Sequence, residues 1–328
     1  MATSPTTAKN PTTTRAAVID AFGGPELLHL AQLPLDAPAD TQVQVEIAAI
    51  SVNPVDLSTR AGRNIPDSDA QFPMVLGWDF AGTVVATGAD VTDWQVGDRV
   101  AAMVFQPIDQ NGVYANYVNL DGGLLSRVPE QLSLQKAATV PLAGLTASQL
   151  LDEALVDGAK TLLIDGPLGA VGRSLVALAT RAGVEVIGVV RRDQSDGLRA
   201  LGATSTVERG AFTDAVRRHY PGGVDAAIDL VGGPTARNAF AAVRDGGRYA
   251  TAVPPYIDPT GRFDVQRHIT IHVLTVHPDT DRLTELLALA AQDTLPTTVE
   301  QTYPLDSAAD AHRHQAAGGL TGRVVLVS

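Results

Sequence analysis

The chain contains no cysteine among its 328 residues. That absence excludes disulfide bonds, cysteine-ligated iron–sulfur clusters, thiolate zinc sites and a cysteine nucleophile. Long hydrophobic runs are also lacking, because no stretch reaches the roughly 18 uncharged apolar residues of a membrane-spanning helix. Positive charge is scarce, with 24 Lys and Arg against 36 Asp and Glu. We therefore expect neither a nucleic-acid partner nor an anionic membrane surface, since both require clustered cations.

The N-terminal segment Met1–Thr14 has little to bury. It is rich in Thr, Ser, Pro and Ala and lacks the apolar core of a secretory signal. We expect a flexible tail here and a cytoplasmic protein. At ~150 residues per domain, the remaining length predicts about two domains.

Residues 15–127 show the pattern of a β-rich domain. Val43, Val45 and Ile47 alternate with polar residues, which is the period-2 signature of a half-buried strand. Further short apolar segments follow, separated by turn residues such as Gly97-Asp98. This pattern favours a compact barrel or sandwich.

After Pro129, strands and helices alternate. Nearly continuous apolar strands of this kind suit a parallel sheet that helices cover on both faces. The six strand candidates are Thr161–Asp165, Val184–Val190, Thr204–Val207, Asp225–Leu230, Arg248–Val253 and Ile269–Val276. Six strands with crossover helices are the number found in a doubly wound nucleotide-binding sheet, so the predicted fold class is α/β. The last fifty residues contain two more helices and a final strand, Arg323–Val327.

A glycine-rich turn follows the first of these strands. Gly166, Gly169 and Gly172 are spaced G-x-x-G-x-x-G between the strand and an amphipathic helix. Such a turn lets a pyrophosphate approach backbone N–H groups at a helix N-terminus. Alone, the spacing is equally compatible with tight packing. In its strand–turn–helix context it predicts a dinucleotide site, to which Ala170 and Val171 also contribute.

The end of the second strand of the sheet distinguishes the cofactors. Arg191 and Arg192 stand where an NAD site needs a carboxylate for the ribose hydroxyls. Two guanidinium groups suit the 2′-phosphate of NADPH instead. Two alternatives stay open: Asp193 is the ribose ligand, or the segment is a solvated charged turn.

Several motifs together resemble the medium-chain dehydrogenase/reductase superfamily. They occur in the family order from about Arg15 to the C-terminus. The matching segments are Ile50-Ser51-Val52-Asn53-Pro54-Val55-Asp56, Pro73-Met74-Val75-Leu76-Gly77-Trp78-Asp79-Phe80-Ala81-Gly82, Val96-Gly97-Asp98-Arg99-Val100, Gly112-Val113-Tyr114-Ala115-Asn116-Tyr117-Val118, Pro141-Leu142-Ala143-Gly144-Leu145-Thr146-Ala147 and Asp229-Leu230-Val231-Gly232-Gly233.

Two positions place the resemblance on one branch of that superfamily. Its zinc alcohol dehydrogenases carry a cysteine at the position of Asn53 and a histidine at that of Trp78, and neither residue present here replaces those zinc ligands. The chain therefore resembles the zinc-independent quinone oxidoreductases and enoyl reductases, and we expect no metal.

This resemblance implies a domain arrangement. A GroES-like catalytic domain would comprise residues 15–127 and 277–328, and a Rossmann domain residues 128–276. NADPH would bind in the cleft between them. The resemblance also implies a homodimer joined through the strand Ile269–Val276.

The implied chemistry is hydride transfer to a small-molecule acceptor that is already activated: a quinone, an enone or an enoyl thioester. By resemblance, Asn53 faces the nicotinamide and its amide donates to the acceptor oxygen; a plain turn is the alternative. Asp56 holds the loop, and Trp78 shapes the acceptor pocket unless it is only core. No tyrosine precedes Tyr114, so proton delivery falls to Tyr114, to a bound water or to solvent, although core packing is the more common role for such a tyrosine.

Three further residues are expected at the cofactor by resemblance: Thr146, Val231 and Val253. For Thr146 the alternative is a helix residue that bonds its own backbone. A second function remains open for the whole chain. It would be an NADPH-binding protein of this fold with little catalytic activity, acting as a structural or regulatory partner.

Overall fold

A computed structural model describes residues 11–63, 65–66, 69–105, 112–253 and 267–328, with the side chain of residue 157 left out. In chain order, the strands of this part are β1 (Thr13–Ile19), β2 (His29–Pro34), β3 (Gln42–Ser51), β4 (Met74–Val75), β5 (Asp79–Thr87), β6 (Arg99–Met103), β7 (Tyr117–Asp121), β8 (Ser126–Arg127), β9 (Thr161–Asp165), β10 (Glu185–Val190), β11 (Ser205–Glu208), β12 (Val224–Asp229), β13 (Val243–Thr251), β14 (Thr270–Val273), β15 (Val299–Pro304) and β16 (Arg323–Val327).

The α-helices of the described residues lie mainly between the strands of the second half. They are α1 (Pro54–Arg60), α2 (Leu134–Ala137), α3 (Pro141–Ala154), α4 (Ala170–Arg181), α5 (Ser195–Ala200), α6 (Thr213–His219), α7 (Gly233–Ala242), α8 (Thr280–Ala291) and α9 (Ala308–Ala317). None of these helices combines the length and the hydropathy that a membrane crossing requires.

The chain divides into two compact units. The first comprises the described residues up to Pro141 together with Pro278–Ala291 and Thr297–Ser328, and the second comprises Leu142–His277 with Gln292–Pro296. We predicted the first division after residue 127. It falls later because α2 packs on β3 and β5 of the first unit.

Antiparallel sheets dominate the first unit. One sheet has the strand order β15-β16-β3-β5-β6-β8, with β7 also paired to β3, and a smaller sheet has the order β2-β1-β4. Val43, Val45 and Ile47 are buried, as their alternation predicted. Gln44 is buried too, and its amide Nε2 donates to Asn119 Oδ1 at 3.1 Å.

The predicted flexible tail ends earlier than residue 14. Thr13 and Thr14 belong to β1 and pair with Pro34 and Leu33 of β2. The Thr14 hydroxyl also donates to the carbonyl of Tyr117 at 3.1 Å and accepts from its N–H at 3.0 Å. These contacts satisfy backbone groups that a free tail would leave to water. Residues 1–10 of the predicted tail lie outside the described residues.

The second unit is built on a parallel sheet with the order β11-β10-β9-β12-β13-β14. All five strand pairs are parallel. The chain order reverses between β9 and β12, which makes their carboxyl ends the switch point of a doubly wound sheet. The predicted α/β fold class is therefore confirmed. β13 begins at Val243 rather than at the predicted Arg248, across an irregularity in its pairing with β12.

Both faces of this sheet are covered. Leu162 and Ile164 point to one face, where they pack with buried residues of α3 and α4. Leu163 points to the other face and packs with Phe212 near α6 and with Phe240 of α7. Burial of each such side chain contributes roughly 1.5–3 kcal/mol, so both layers stabilise the sheet whose strand ends hold the candidate site.

Candidate functional site

The junction between β3 and α1 places Asn53 and Asp56. Asn53 is extended (φ −117°, ψ 154°) and caps α1, with Pro54 in the first turn. The Asn53 N–H donates to Asp56 Oδ2 at 2.7 Å, which satisfies one of the donors that a helix start leaves without an intrahelical acceptor. The Asn-Pro-x-Asp sequence thus accounts locally for both positions, and Asp56 holds the junction between β3 and α1.

The side-chain amide of Asn53 is fully engaged by protein groups. Its Nδ2 donates to Asp79 Oδ1 at 2.7 Å and to the Ser51 carbonyl at 3.1 Å. Its Oδ1 accepts from the Arg323 guanidinium. The Asp79 carboxylate lies beside the amide nitrogen and the Arg323 guanidinium beside the amide oxygen. Because only the nitrogen can donate to the carboxylate, these contacts fix the orientation of the amide. The expectation that Asn53 donates to an acceptor oxygen does not fit, because both amide hydrogens are already used.

Arg323 is a buried cation that our sequence analysis missed. It begins β16 and is only 8% exposed, and its Nε donates to Ser51 Oγ at 3.0 Å. Burial lowers the pKa of Arg323, while the charges of Asp79 and Asp56 oppose that shift. A lone arginine at the start of a strongly apolar strand was the available signal, but it does not identify a partner.

A chain of hydrogen bonds leads from Asp56 to the C-terminal helix α9. Tyr114 Oη lies 3.3 Å from Asp56 Oδ2 and 3.0 Å from His312 Nε2, and His312 Nδ1 lies 2.9 Å from Arg60 Nη1. Burial raises the pKa of Asp56 to about 8, with the Asn53 N–H and the Tyr114 hydroxyl opposing it and the Asp79 charge adding to it. Burial also lowers the pKa of His312 to about 3.

This chain corrects the expected role of Tyr114. The side chain is fully buried, and its hydroxyl is committed to Asp56 and His312. Burial raises the pKa of Tyr114 well above its ordinary value, and the Asp56 charge adds to the shift. Tyr114 is therefore a packing and positioning residue here, since a proton donor needs an exposed or ligand-facing hydroxyl.

Trp78 precedes Asp79 of β5 and is 4% exposed. Its ring lies edge-on to Phe105, with 5.5 Å between the ring centroids. The indole Nε1 is buried without an acceptor among the described residues. A buried N–H that lacks an acceptor is unfavourable by about 1–3 kcal/mol.

In the second unit, the glycine turn has the geometry of a phosphate cradle. Gly166 adopts φ +85°, and a Cβ at Gly172 would lie 2.2 Å from the Gly166 carbonyl oxygen. Gly169 caps α4 without a side-chain hydrogen bond, so the first N–H groups of this twelve-residue helix meet no capping side chain. Uncapped N–H groups beside glycines, which carry no Cβ atom, fit a pyrophosphate. Ala170, Val171 and Gly172 form the first turn of this helix.

Three guanidinium groups follow β10 and β11. Arg191 Nε lies 3.6 Å from Asp193 Oδ1, and Arg192 Nη2 lies 3.0 Å from Glu208 Oε2. Arg209, which our sequence analysis missed, donates its backbone N–H to the Val190 carbonyl at 2.8 Å and is therefore adjacent to Arg191. A positive residue directly after a strand of the sheet was the signal for it. The contact between Asp193 and Arg191 is compatible with either alternative for this turn, a ribose ligand at Asp193 or a solvated charged turn. Both alternatives therefore stay open.

The other predicted cofactor residues, Val231, Val253 and Thr146, have different surroundings in the structure. Val231 Cγ2 would lie 3.0 Å from a Cβ at Gly166, so Val231 borders the glycine turn. Val253 is held by its N–H, which donates to Thr251 Oγ1 at 3.1 Å. Thr146 donates its hydroxyl to the Leu142 carbonyl at 2.7 Å and is buried, which is the backbone-bonding alternative.

Comparisons with known proteins agree with this architecture. The family model for the alcohol dehydrogenase GroES-like domain matches residues 39–130, and the model for zinc-binding dehydrogenases matches residues 201–326. A quinone oxidoreductase of Sus scrofa is 27% identical over 321 residues, covering 93% of this chain and 95% of the relative. The quinone oxidoreductase structure from Coxiella burnetii superposes with a TM-score of 0.84 at 28% identity, covering 96% and 99% of the two chains.

A much longer relative is also similar. The chain is 31% identical over 320 residues to a mycocerosic acid synthase-like polyketide synthase of Mycolicibacterium smegmatis. That match covers 93% of this chain but only 15% of the synthase. With the two-unit fold and the glycine turn, these likenesses establish the class. The chain belongs to the medium-chain dehydrogenase/reductase superfamily of oxidoreductases, within its quinone oxidoreductase-like branch.

Proposed function

We propose that the protein is a zinc-independent, NADPH-dependent reductase of activated acceptors: quinones, enones or enoyl thioesters. The observation that carries this proposal is the glycine cradle at the end of β9, on a doubly wound sheet in an oxidoreductase of the quinone oxidoreductase-like branch. A bound nicotinamide supplies the hydride. Gly166, Gly169 and the first turn of α4 would hold its pyrophosphate, with Val231 beside them and Val253 at the end of β13.

Support for NADPH over NADH comes from the guanidinium groups Arg191, Arg192 and Arg209. Arg191 has only a long contact, 3.6 Å, to a carboxylate that is itself exposed. A 2′-phosphate offers two negative charges and bidentate geometry, which would displace so weak a surface pair.

The residue types near Asn53 support zinc independence. Protein partners use both hydrogens and the oxygen of its amide, and an indole such as that of Trp78 is not a zinc ligand. Within the part of the chain that the structure describes, the Trp78 Nε1–H has no acceptor, which supports a place for this residue at the substrate, where it would donate to the developing oxyanion. The likeness to a polyketide synthase supports enoyl thioesters as one acceptor class.

The proposal is tested by following the absorbance of the reduced nicotinamide. NADPH and NADH are each mixed with the protein and a panel of quinones, enones and enoyl thioesters. We expect turnover with at least one acceptor class and a preference for NADPH. Arg191→Ala should raise KM for NADPH roughly tenfold and leave the KM for NADH unchanged, because a charge-assisted phosphate contact is worth about 1.5–3 kcal/mol.

Arg181→Ala is the matched control, since it removes an exposed guanidinium at the far end of α4. Equal use of both cofactors with no effect of Arg191→Ala would overturn the phosphate assignment. Trp78→Phe keeps the aromatic ring but removes the N–H, and it should lower kcat at unchanged NADPH affinity. An unchanged kcat would remove Trp78 from the acceptor site.

One observation favours the second function, a cofactor-binding protein with little catalytic activity. The Tyr114 hydroxyl and the Asn53 amide hydrogens are both committed inside the first unit. Tight NADPH binding with no turnover across the whole acceptor panel would favour it over the reductase.

We also propose a homodimer joined through β14. This strand is the last of its sheet, and Ile271 and Val273 are 42% and 50% exposed. Exposed apolar residues on an unpaired edge strand are a typical surface for pairing with a second copy.

A further inference from the structure

Two buried carboxyl groups lie side by side at the carboxyl end of the parallel sheet. Asp165 is the last residue of β9 and Asp229 the last of β12, and the two are direct partners in the strand register. In a parallel pair, register partners point to the same face. Neither side chain is exposed. Asp165 is also the residue immediately before Gly166 of the cradle.

Three hydrogen-bond donors surround the Asp229 carboxyl group. Its Oδ1 accepts from the N–H groups of Val231 and Gly232, both at 2.9 Å, and its Oδ2 accepts from the Tyr249 hydroxyl at 2.8 Å. These bonds also shape the turn that carries Val231 against the glycine cradle.

Asp165 has the opposite surroundings. Neither of its oxygens has a hydrogen-bond partner in the described part of the chain. The Thr235 hydroxyl on α7 is nearby, but it donates its hydrogen to the Gly232 carbonyl at 2.9 Å. A second buried negative charge beside Asp229 is strongly unfavourable.

Burial and neighbouring groups on several elements act on the pKa of Asp165. Burial raises its pKa, and the Asp229 charge on β12 raises it further. The Thr235 hydroxyl, the Arg209 charge after β11 and the Gly166 N–H oppose the shift. Tyr249 on β13 turns its hydroxyl to Asp229, so it offers no donor to Asp165.

We propose that Asp165 is a neutral, protonated acid in the dinucleotide-binding form of the protein, and that loss of its proton to solvent weakens dinucleotide binding. The proposal rests on the function proposed above. The physical reason is charge: ionised Asp165 would add a buried negative charge next to the turn that receives a pyrophosphate. Binding at alkaline pH must then take up one proton, so affinity falls by up to about tenfold per pH unit above the transition.

The test measures Kd for NADPH and NADH by nicotinamide fluorescence from pH 6 to 9.5. NADH is needed because the 2′-phosphate of NADPH titrates near pH 6 itself. Calorimetry in buffers of different ionisation enthalpy counts the protons taken up. We expect the affinity of wild type for both cofactors to fall as the pH rises, and proton uptake on binding to rise with it.

Asp165→Asn mimics the neutral acid, and we expect its affinity to be flat with pH and without proton uptake. Asp214→Asn, which removes an exposed carboxylate on α6, should keep the wild-type response. A flat wild-type affinity, or a pH response that persists in Asp165→Asn, would overturn the proposal while leaving the cofactor site intact.

The experiment distinguishes failure of the proposed function from failure of the inference about Asp165. If wild type binds neither cofactor at any pH, the proposed function fails and this inference fails with it. If Asp165→Asn does not fold, the wild-type proton count decides alone, because binding without proton uptake contradicts the inference.

Discussion

The guanidinium of Arg60 donates a hydrogen bond to Nδ1 of His312 across 2.9 Å. An arginine has no acceptor to offer, so Nδ1 must be the acceptor and the ring hydrogen must lie on Nε2. Nε2–H then donates to the Tyr114 oxygen, and the Tyr114 hydroxyl donates to Asp56 Oδ2. All the donors along this chain therefore point towards Asp56, which also accepts from the Asn53 N–H.

His312→Phe should destabilise the first unit by about 2–4 kcal/mol, because the buried Arg60 guanidinium and the Tyr114 hydroxyl each lose one hydrogen-bond partner. The native pKa of His312, about 3, lies below its ordinary value of 6.5. Its contribution is therefore present above pH 6.5 and is lost as pH falls towards 3, by up to about 1.4 kcal/mol per pH unit.

Urea denaturation followed by circular dichroism across pH 3–7 measures both effects. The difference in unfolding free energy between wild type and His312→Phe should shrink as the pH falls. A difference that stays constant with pH would show that His312 is not held neutral.

Asp56→Asn should change the pH dependence of stability in the opposite sense. The native pKa of Asp56, about 8, lies above its ordinary value of 3.8. Its contribution is therefore complete below pH 3.8 and is lost as pH rises through 8. Wild type should lose stability between pH 6.5 and 8 by up to about 1.4 kcal/mol per pH unit, and Asp56→Asn should be flatter.

The control for Asp56 is Asp40→Asn, at an exposed position. It should keep the wild-type slope above pH 6.5. Parallel slopes for wild type and Asp56→Asn in urea denaturation would contradict a buried, proton-retaining Asp56.

Alanine substitutions at two glycines of the cradle, Gly172 and Gly169, should have different effects. At Gly172 a Cβ would meet the Gly166 carbonyl oxygen at 2.2 Å and Pro167 backbone carbons at 2.7 Å, so Gly172→Ala must displace the turn. We expect it to destabilise the second unit by about 2 kcal/mol or more.

At Gly169 the same Cβ would meet only the Gly166 carbonyl oxygen, at 3.5 Å, with φ at an ordinary −71°. Gly169→Ala should therefore keep the stability but weaken NADPH binding by roughly tenfold, since the added methyl group stands where the phosphate approaches. Thermal melts and fluorescence titration distinguish the two variants. Unchanged NADPH affinity in Gly169→Ala would place the phosphate elsewhere.

The β14 edge predicts an effect on assembly. Val273→Lys should convert a dimer to a monomer, as measured by light scattering after size-exclusion chromatography, because a buried lysine at an apolar edge is strongly unfavourable. Val96→Lys is the matched control, since Val96 is 67% exposed in the first unit. An assembly state that Val273→Lys leaves unaltered would exclude this edge as the interface.

Local patterns were sufficient for part of the candidate site. The strand–glycine–helix pattern placed Gly166, Gly169 and Gly172 correctly because backbone geometry there depends on a few neighbouring residues. Likewise, Asn53 and Asp56 form a helix cap within one turn. The hydrogen-bond partners of the Asn53 and Asp56 side chains were not predictable, because those partners belong to segments that are distant in the sequence.

The sequence by itself determined the class of the protein. The order of the motifs predicted the superfamily that the comparisons show, and the strand periodicity predicted the doubly wound sheet. The tertiary structure alone decided the roles of individual side chains. Arg323 reaches Asn53 across 270 positions of sequence, and His312 reaches Tyr114 across 198. Hydrogen bonds and burial of such groups are set by packing, which no local pattern encodes.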